Sequence, residues 1–290
     1  MGLKLAAAGL TNTGLVRGNN EDSIFYLVAG DAGSVPVGLF IVADGVGGQL
    51  AGEMASRWAV AAARDSLRDL LAPKGKSQTR PLDANRVPEW PPGSSDPTVP
   101  SPAQTIRSTA SASLRDRILH AAQSANRAVY ANAQQQLEEA GNAGTTLTMA
   151  LVRDDQMVVA NVGDSRTYLL RGREIIQITT DHSLIAGLVK SGNVKPEELY
   201  THPVRNVIVR SLGHEPDVDV DLFEERLRPG DILLLCSDGL WEMLRGPERI
   251  ASIVRRAPAP MDSCRELIEA ANAAGGQDNI SVIVVRVEAA

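Results

Sequence analysis

The sequence predicts an α+β fold in which antiparallel β-sheet is stacked between layers of helices and built as one domain. Three observations lead there. Short runs rich in Val, Ile and Leu recur along the chain, compact turns join two pairs of them, and amphipathic stretches of helical period lie between.

The first strands expected are Ser23 to Val28 and Val37 to Ala43. Met54, Trp58, Leu67, Leu70 and Leu71 then recur at helical spacing as far as the break at Pro73. Eight of the sixteen prolines fall between Pro73 and Pro102, where the only large apolar groups are Leu82, Val87, Trp90 and Val99. A stretch of that composition cannot bury a core, so a disordered insertion is expected at about 73–107. Beyond it Leu114, Ile118, Ala122, Ala125, Val129 and Ala133 mark a second amphipathic helix, with Gly141 as its stop. Further strands are expected at Thr145 to Val152, Gln156 to Gly163, Arg166 to Leu170, Glu174 to Ile178, Asp231 to Cys236 and Ile280 to Val287. Asp154-Asp155 and Arg171-Gly172-Arg173 are short enough to be hairpin turns, which makes much of the sheet antiparallel. A helix from about Pro247 starts on proline, and another from about Asp262 places Cys264, Leu267, Ile268 and Ala271 on one face, with Cys264 in the core.

Composition narrows the function. The 290 residues carry 29 Lys and Arg against 35 Asp and Glu, a formal charge of −6, with 3 % aromatics. Such a chain lacks the phosphate-neutralising charge and the stacking rings that nucleic-acid binding needs. No apolar run reaches the roughly 18 residues of a membrane span, and the start turns polar too soon for a secretory signal, so a cytoplasmic protein without a membrane partner is expected. Two cysteines, Cys236 and Cys264, make neither a disulfide framework nor a four-ligand zinc site.

The chemistry lies in the aspartates. Asp44 ends Val-Gly-Leu-Phe-Ile-Val-Ala and Asp238 ends Ile-Leu-Leu-Leu-Cys-Ser, each followed by a glycine, Gly45 or Gly239. Asp-Gly alone reads equally as a type I′ hairpin. The residues after each pair, however, read as a loop entering a helix, so both carboxylates are expected at strand ends facing a cleft, with glycine letting the backbone turn its carbonyl toward a ligand. Glu21-Asp22 precedes the strand at Ser23, Asp164 comes just after the strand ending at Val162, and Asp278-Asn279 precedes Ile280. Several buried carboxylates cannot all ionise without a cation, and oxygen donors favour Mg²⁺, Mn²⁺ or Ca²⁺. His120, His182, His202 and His214 have no zinc-site spacing and are expected at the surface or in loops.

Six motifs in order, Thr11-Asn-Thr-Gly-Leu-Val-Arg-Gly-Asn-Asn-Glu-Asp22, Ala43-Asp-Gly-Val-Gly-Gly48, Gly144-Thr-Thr, Asn161-Val-Gly-Asp-Ser-Arg166, Ser237-Asp-Gly-Leu240 and Gln277-Asp-Asn279, resemble the bacterial branch of the metal-dependent Ser/Thr protein phosphatases, the PPM or type 2C family. The match runs from about residue 5 to 288. It implies one catalytic domain spanning 1–290, built as a central sandwich of two antiparallel β-sheets with helices on both outer faces and a two-metal centre at one end. By resemblance, Asp44 bridges two Mn²⁺ or Mg²⁺ ions with the Gly45 carbonyl on one of them. Asp22, Asp238 and Asp278 are the remaining direct or water-mediated ligands, and Asp164 holds a weaker third ion. The other reading of Asp164 is a turn residue paired with Arg166. Arg17 resembles the phosphate-binding arginine, Glu21 and Asn279 stand behind the ligands, and Thr180 to Gly213, with His182 and His202, is similar to a flap beside the site.

The activity implied is hydrolysis of phosphoserine and phosphothreonine in proteins by a hydroxide held between two ions, without a phosphoenzyme. The partners implied are phosphorylated Ser/Thr proteins, including a cognate Ser/Thr kinase or its substrates. Cysteine chemistry is excluded, because the position six after each cysteine is Glu242 or Ala270 and not arginine. Two rival readings, a catalytically idle phosphoprotein-binding module and a metal-dependent hydrolase of small phosphate esters, are separated by turnover and by substrate comparison.

Overall fold

The computed structural model describes residues 2–30, 35–47, 50–71, 113–135 and 143–290. The Pro-rich stretch at 73–107, Gly48 and Gly141 lie outside the described residues.

One antiparallel sheet contains β1 (Leu3–Asn12), β7 (Arg166–Arg171), β8 (Glu174–Gln177), β10 (Ile232–Cys236) and β11 (Ile280–Ala289), in the order β1-β11-β10-β7-β8. The other contains β2 (Asp22–Ala29), β3 (Val37–Val46), β5 (Leu147–Arg153), β6 (Gln156–Val162) and β9 (Asp221–Arg226), in the order β2-β3-β5-β6-β9, with the two-residue β4 (Gly144–Thr145) beside β3. Both expected hairpins form: Arg153 pairs with Gln156 and Arg171 with Glu174 across two-residue turns.

The strands read as continuous apolar runs because both faces are covered. On β3, Leu39, Ile41 and Ala43 pack under α1 (Leu50–Ser66), α2 (Arg68–Leu71) and α3 (Leu114–Gln135), while the alternate residues Phe40 and Val42 point into the space between the sheets. On β11, Val282 and Val284 pack under α5 (Asp238–Leu244), α6 (Pro247–Arg256) and α7 (Pro260–Ala273), while Ile283, Val285 and Val287 meet the opposite sheet. The result is helices, sheet, sheet, helices. Cys264 is fully buried on α7 with Leu267 and Ala271, as its spacing predicts.

The structure corrects several expectations. Strand β1 gives no clear signal in the sequence because Ala6, Ala7 and Ala8 carry weak strand propensity; ten residue pairs with β11 override it. Strand β9 is hidden by its charges, Asp221, Glu224, Glu225 and Arg226, which suit an edge strand exposed to water. A short helix, α4 (Leu184–Lys190), capped by the Ser183 hydroxyl, interrupts the segment expected as flap. The buried face of α1 consists of Ala51, Gly52, Ala55, Ser56, Ala59, Val60 and Ala63, with Met54 and Trp58 only half-buried. Small residues there let α1 lie close against Ala121, Ala122 and Ala125 of α3.

Candidate metal centre

Strands β2 and β3 pair so that Asp22 and Asp44 stand directly opposite each other, a like-charge pair that costs stability on a sheet. The Asp44 main chain is fixed by three hydrogen bonds: its N–H donates to Thr146 Oγ1 at 3.0 Å, and its carbonyl accepts from Thr146 N at 2.9 Å and Thr145 Oγ1 at 2.9 Å. Asp22 accepts from Ser237 Oγ at 2.8 Å through Oδ2, and Ser237 precedes Asp238 at the start of α5. Asp238 is therefore the first residue of a helix and not the end of a strand, as its apolar run suggests; β10 ends at Cys236. Asp164 sits in the turn between β6 and β7 and is 3 % exposed.

Gly45 and Gly239 also meet a need that their place after an aspartate does not signal. Neither has a positive φ. A Cβ at Gly45 would collide with the carbonyl oxygen of Gly52 at the start of α1, and one at Gly239 with the carbonyl oxygen of Asn279. Both Asp-Gly pairs mark places where two backbones touch, and the contact brings α1 and α5 up to the carboxylates.

Electrostatics separate these aspartates from ordinary surface acids. Burial pushes Asp22 up to about 6 and Asp164 up to about 7. Asp44 and Asp238 are raised well above the usual carboxylate range, first by burial and then by the charges of the neighbouring aspartates. Buried Asp22 Oδ1, Asp164 Oδ1 and Asp238 Oδ1 accept no hydrogen bond among the described residues. Unsatisfied buried carboxylate oxygens are costly, and a hard divalent cation satisfies them with the oxygen donors it prefers. The donor set fits such an ion. Among the described residues no three His, Cys, Asp or Glu side chains are already gathered into a finished cage.

Asp278 and Arg17 form the outer edge. Arg17 Nη2 donates to Asp278 Oδ2 at 2.7 Å, and its side chain is 52 % exposed. Asn279 is buried and ties down the loop that carries Arg17: its Nδ2 donates to the Thr13 and Asn19 carbonyls, each at 2.9 Å, and its Oδ1 accepts from Glu21 N at 2.8 Å. Asn279→Ala is expected to loosen that loop, lowering kcat/KM on a phosphopeptide and stability by about 1–3 kcal/mol for the stranded polar groups, measurable as a lower Tm. An unchanged Tm and kcat/KM would remove Asn279 from the site.

The histidines divide. His182 lies in a loop, as expected, yet is buried: the Nδ1 of the neutral ring accepts from Gly163 N at 3.1 Å, and its Nε2 lies 3.0 Å from Arg210 Nη1 and 3.2 Å from Asp221 Oδ2. Burial lowers its pKa and favours that neutral form. His202 lies in a loop, where its Nδ1 accepts from Val204 N at 3.3 Å, while His120 and His214 are exposed. A cleft of about 230 Å³ is lined by Tyr200, Thr201 and Arg205 of the expected flap, by Glu242 and Arg245 around α5, and by Gln277, with Arg205 Nε 3.7 Å from Glu242 Oε2. A larger cavity of about 430 Å³, between β8 and α6, is lined by none of these aspartates.

The profile of the family described as Protein phosphatase 2C matches residues 17–272. The chain belongs to that family. As a protein phosphatase 2C chain it is 34 % identical over 275 residues to the serine/threonine phosphatase stp of Listeria monocytogenes, covering 95 % of this chain and 93 % of that one. The crystal structure of the serine/threonine phosphatase PstP/Ppp of Mycobacterium tuberculosis superposes with a TM-score of 0.72 at 33 % identity, covering both chains fully. A structure of the PstP catalytic domain in complex with two manganese ions gives a TM-score of 0.73 at 32 % identity, covering 99 % of this chain and all of that one.

In this protein phosphatase 2C chain Arg166 is not the partner of Asp164. Its guanidinium makes three hydrogen bonds to Asp181, at 2.6, 3.0 and 3.1 Å, and one to the Tyr168 hydroxyl at 3.0 Å. That leaves Asp164 Oδ1 without a donor. Ser237, Thr146, Asp181 and Trp241 have no role that sequence reasoning finds. Their one signal is adjacency to the motifs, since Ser237 and Trp241 flank Asp238 and Thr146 lies in Gly144-Thr-Thr.

Proposed function

We propose that the chain is a metal-dependent protein serine/threonine phosphatase, using Mn²⁺ or Mg²⁺ to hydrolyse phosphoserine and phosphothreonine in a single catalytic domain. The observation that carries the reading is the set of buried, donorless carboxylate oxygens on Asp22, Asp164 and Asp238 beside Asp44. In this reading Asp44 and the Gly45 carbonyl would hold two ions together with Asp22, Asp238 and Asp278, and Asp164 would hold a third with Asp238. Bound ions supply Lewis acidity and bring the pKa of water toward neutrality.

The rest of the task falls to the chain's own residues. Arg17, exposed at the rim, exchanges Asp278 for a phosphate, which its planar fork can hold through two N–H donors while neutralising charge on the equatorial oxygens. Glu21 and Asn279 keep the Arg17 loop in register with β2, and Ser237 orients Asp22. Cys236 and Cys264 take no part as nucleophiles, because burial holds both thiols neutral, Cys264 being pushed up to about 12. The segment 180–213, with His182 at its buried root and His202 in its outer loop, shapes access for an extended phosphopeptide.

Phosphorylated Ser/Thr proteins are the substrates; the esters it removes are made by Ser/Thr kinases, so a cognate kinase or its substrates are the partners proposed. A cytoplasmic location goes with this reading. It is supported by two free buried cysteines and by the finding that, among the described residues, no helix is long and apolar enough to cross a membrane.

The test is a comparison of substrates at saturating Mn²⁺. Rapid release of phosphate from a phosphothreonine peptide, with nucleoside triphosphates far slower, is the expected result. Preference for nucleotides would replace the reading with a small-ester hydrolase, and absence of turnover on every substrate would leave a binding module.

A further inference from the structure

We propose that Trp241 is a positioning residue, holding the turn that carries Asp164 against helix α5 so that the Asp164 and Asp238 carboxylates address one cation. The inference rests on the reading of Asp164 and Asp238 as ligands.

Trp241 is 2 % exposed and sits three residues after Asp238, so both lie on one face of α5. Its indole Nε1–H donates to the Asp164 main-chain carbonyl at 3.1 Å. The Arg166 guanidinium stacks 3.6 Å from the centre of the indole, and Arg166 is in turn locked by Asp181. On the flap side the Tyr200 ring lies 6.4 Å from the indole, tilted by 59°. A single side chain from the helix that carries Asp238 thus touches the peptide unit of Asp164 and the guanidinium of the Arg166–Asp181 ion pair.

The arrangement exceeds what packing asks of a core aromatic. Asp164 Oδ1 and Asp238 Oδ1 are both buried without donors, so the two carboxylates repel and would separate if nothing held their backbones. The opposite side of the turn is secured independently: Gly163 N donates to His182 Nδ1 at 3.1 Å, His182 N donates to the Gly163 carbonyl at 2.9 Å, and Ser165 Oγ meets Thr146 Oγ1 at 2.7 Å. Trp241 Nε1 supplies the bond facing α5. Phenylalanine there would keep an aromatic ring over Arg166 and lose the donor with part of the indole's volume, so a packing loss alone would lower Tm without singling out one metal site.

The experiment is a Mn²⁺ titration of the intact chain, with free Mn²⁺ counted by electron paramagnetic resonance, for the parent, Trp241→Phe and Asp164→Asn. Trp241→Phe is expected to weaken the weakest Mn²⁺ site by about three- to tenfold, the scale of one net hydrogen bond, and to leave the tighter sites unchanged. Unchanged affinity at every site in Trp241→Phe, with Asp164→Asn weakened, would overturn the positioning role and spare the ligand reading. Unchanged affinity in Asp164→Asn would overturn the ligand reading of Asp164 and the inference with it. A second measurement uses the parent protein alone, whose three tryptophans give three indole N–H resonances. Trp241 Nε1–H is expected to shift during a Mg²⁺ titration at the concentrations that fill the weakest site. If it stays fixed to saturation, the inference fails even where the variant cannot be purified folded.

Discussion

Exhaustive chelation is expected to abolish hydrolysis of a phosphothreonine peptide, and Mn²⁺ or Mg²⁺ to restore it. The donors proposed for the centre are carboxylate oxygens with the Gly45 carbonyl, a set that suits hard cations and gives a soft metal nothing to prefer. Without ions, the oxygens of Asp22, Asp164 and Asp238 are buried and unsatisfied, so the cation completes the structure as well as the chemistry. The same titration is expected to raise Tm, because a ligand bound only by the folded state stabilises it by about 2.7 kcal/mol at a hundred times its Kd. Undiminished turnover in metal-free buffer would sink the mechanism, and restored activity without a rise in Tm would show that the ions act on the substrate.

Asp44→Asn carries the second large effect, and its two readouts move in opposite directions. Turnover is expected to fall by more than the roughly 10–100-fold that loss of an outer-shell partner costs a metal site, since Asp44 faces both Asp22 and the remaining carboxylates. Stability of the metal-free protein is expected to hold or rise, because the substitution removes one of the opposed charges from the β2–β3 pair. The main-chain bonds from Thr145 and Thr146 do not depend on the Asp44 side chain, so the strand end keeps its shape. The variant is checked by kcat/KM on a phosphopeptide and by thermal unfolding after chelation. A folded variant within a few-fold of the parent would show that Asp44 is not at the centre of the reaction.

Local signals are sufficient wherever a residue's role depends on its immediate neighbours. The hairpins at Asp154 and Gly172, the buried face around Cys264 and most of the sandwich strands are set by turn chemistry and apolar runs. Signals fail where neighbours mislead. Three alanines hide β1, four charges hide β9, and nothing local announces the close backbone crossings at Gly45 and Gly239.

What the sequence determined by itself was the class of chemistry and its ingredients: an acidic chain with aspartates at the ends of apolar runs, in the order of the phosphatase family. Only the tertiary structure decided who faces whom. Asp22 opposes Asp44, Arg17 reaches Asp278 across 261 positions, Arg166 pairs with Asp181 and not with Asp164, and Trp241 reaches the Asp164 carbonyl 77 positions away. Periodicity and turn preference act over a few residues, whereas these partnerships are set by strand register and by how helix α5 packs on its sheet. The same packing buries the Oδ1 atoms of Asp22, Asp164 and Asp238 without a donor among the described residues, and that burial raises the proton affinity of the three carboxylates.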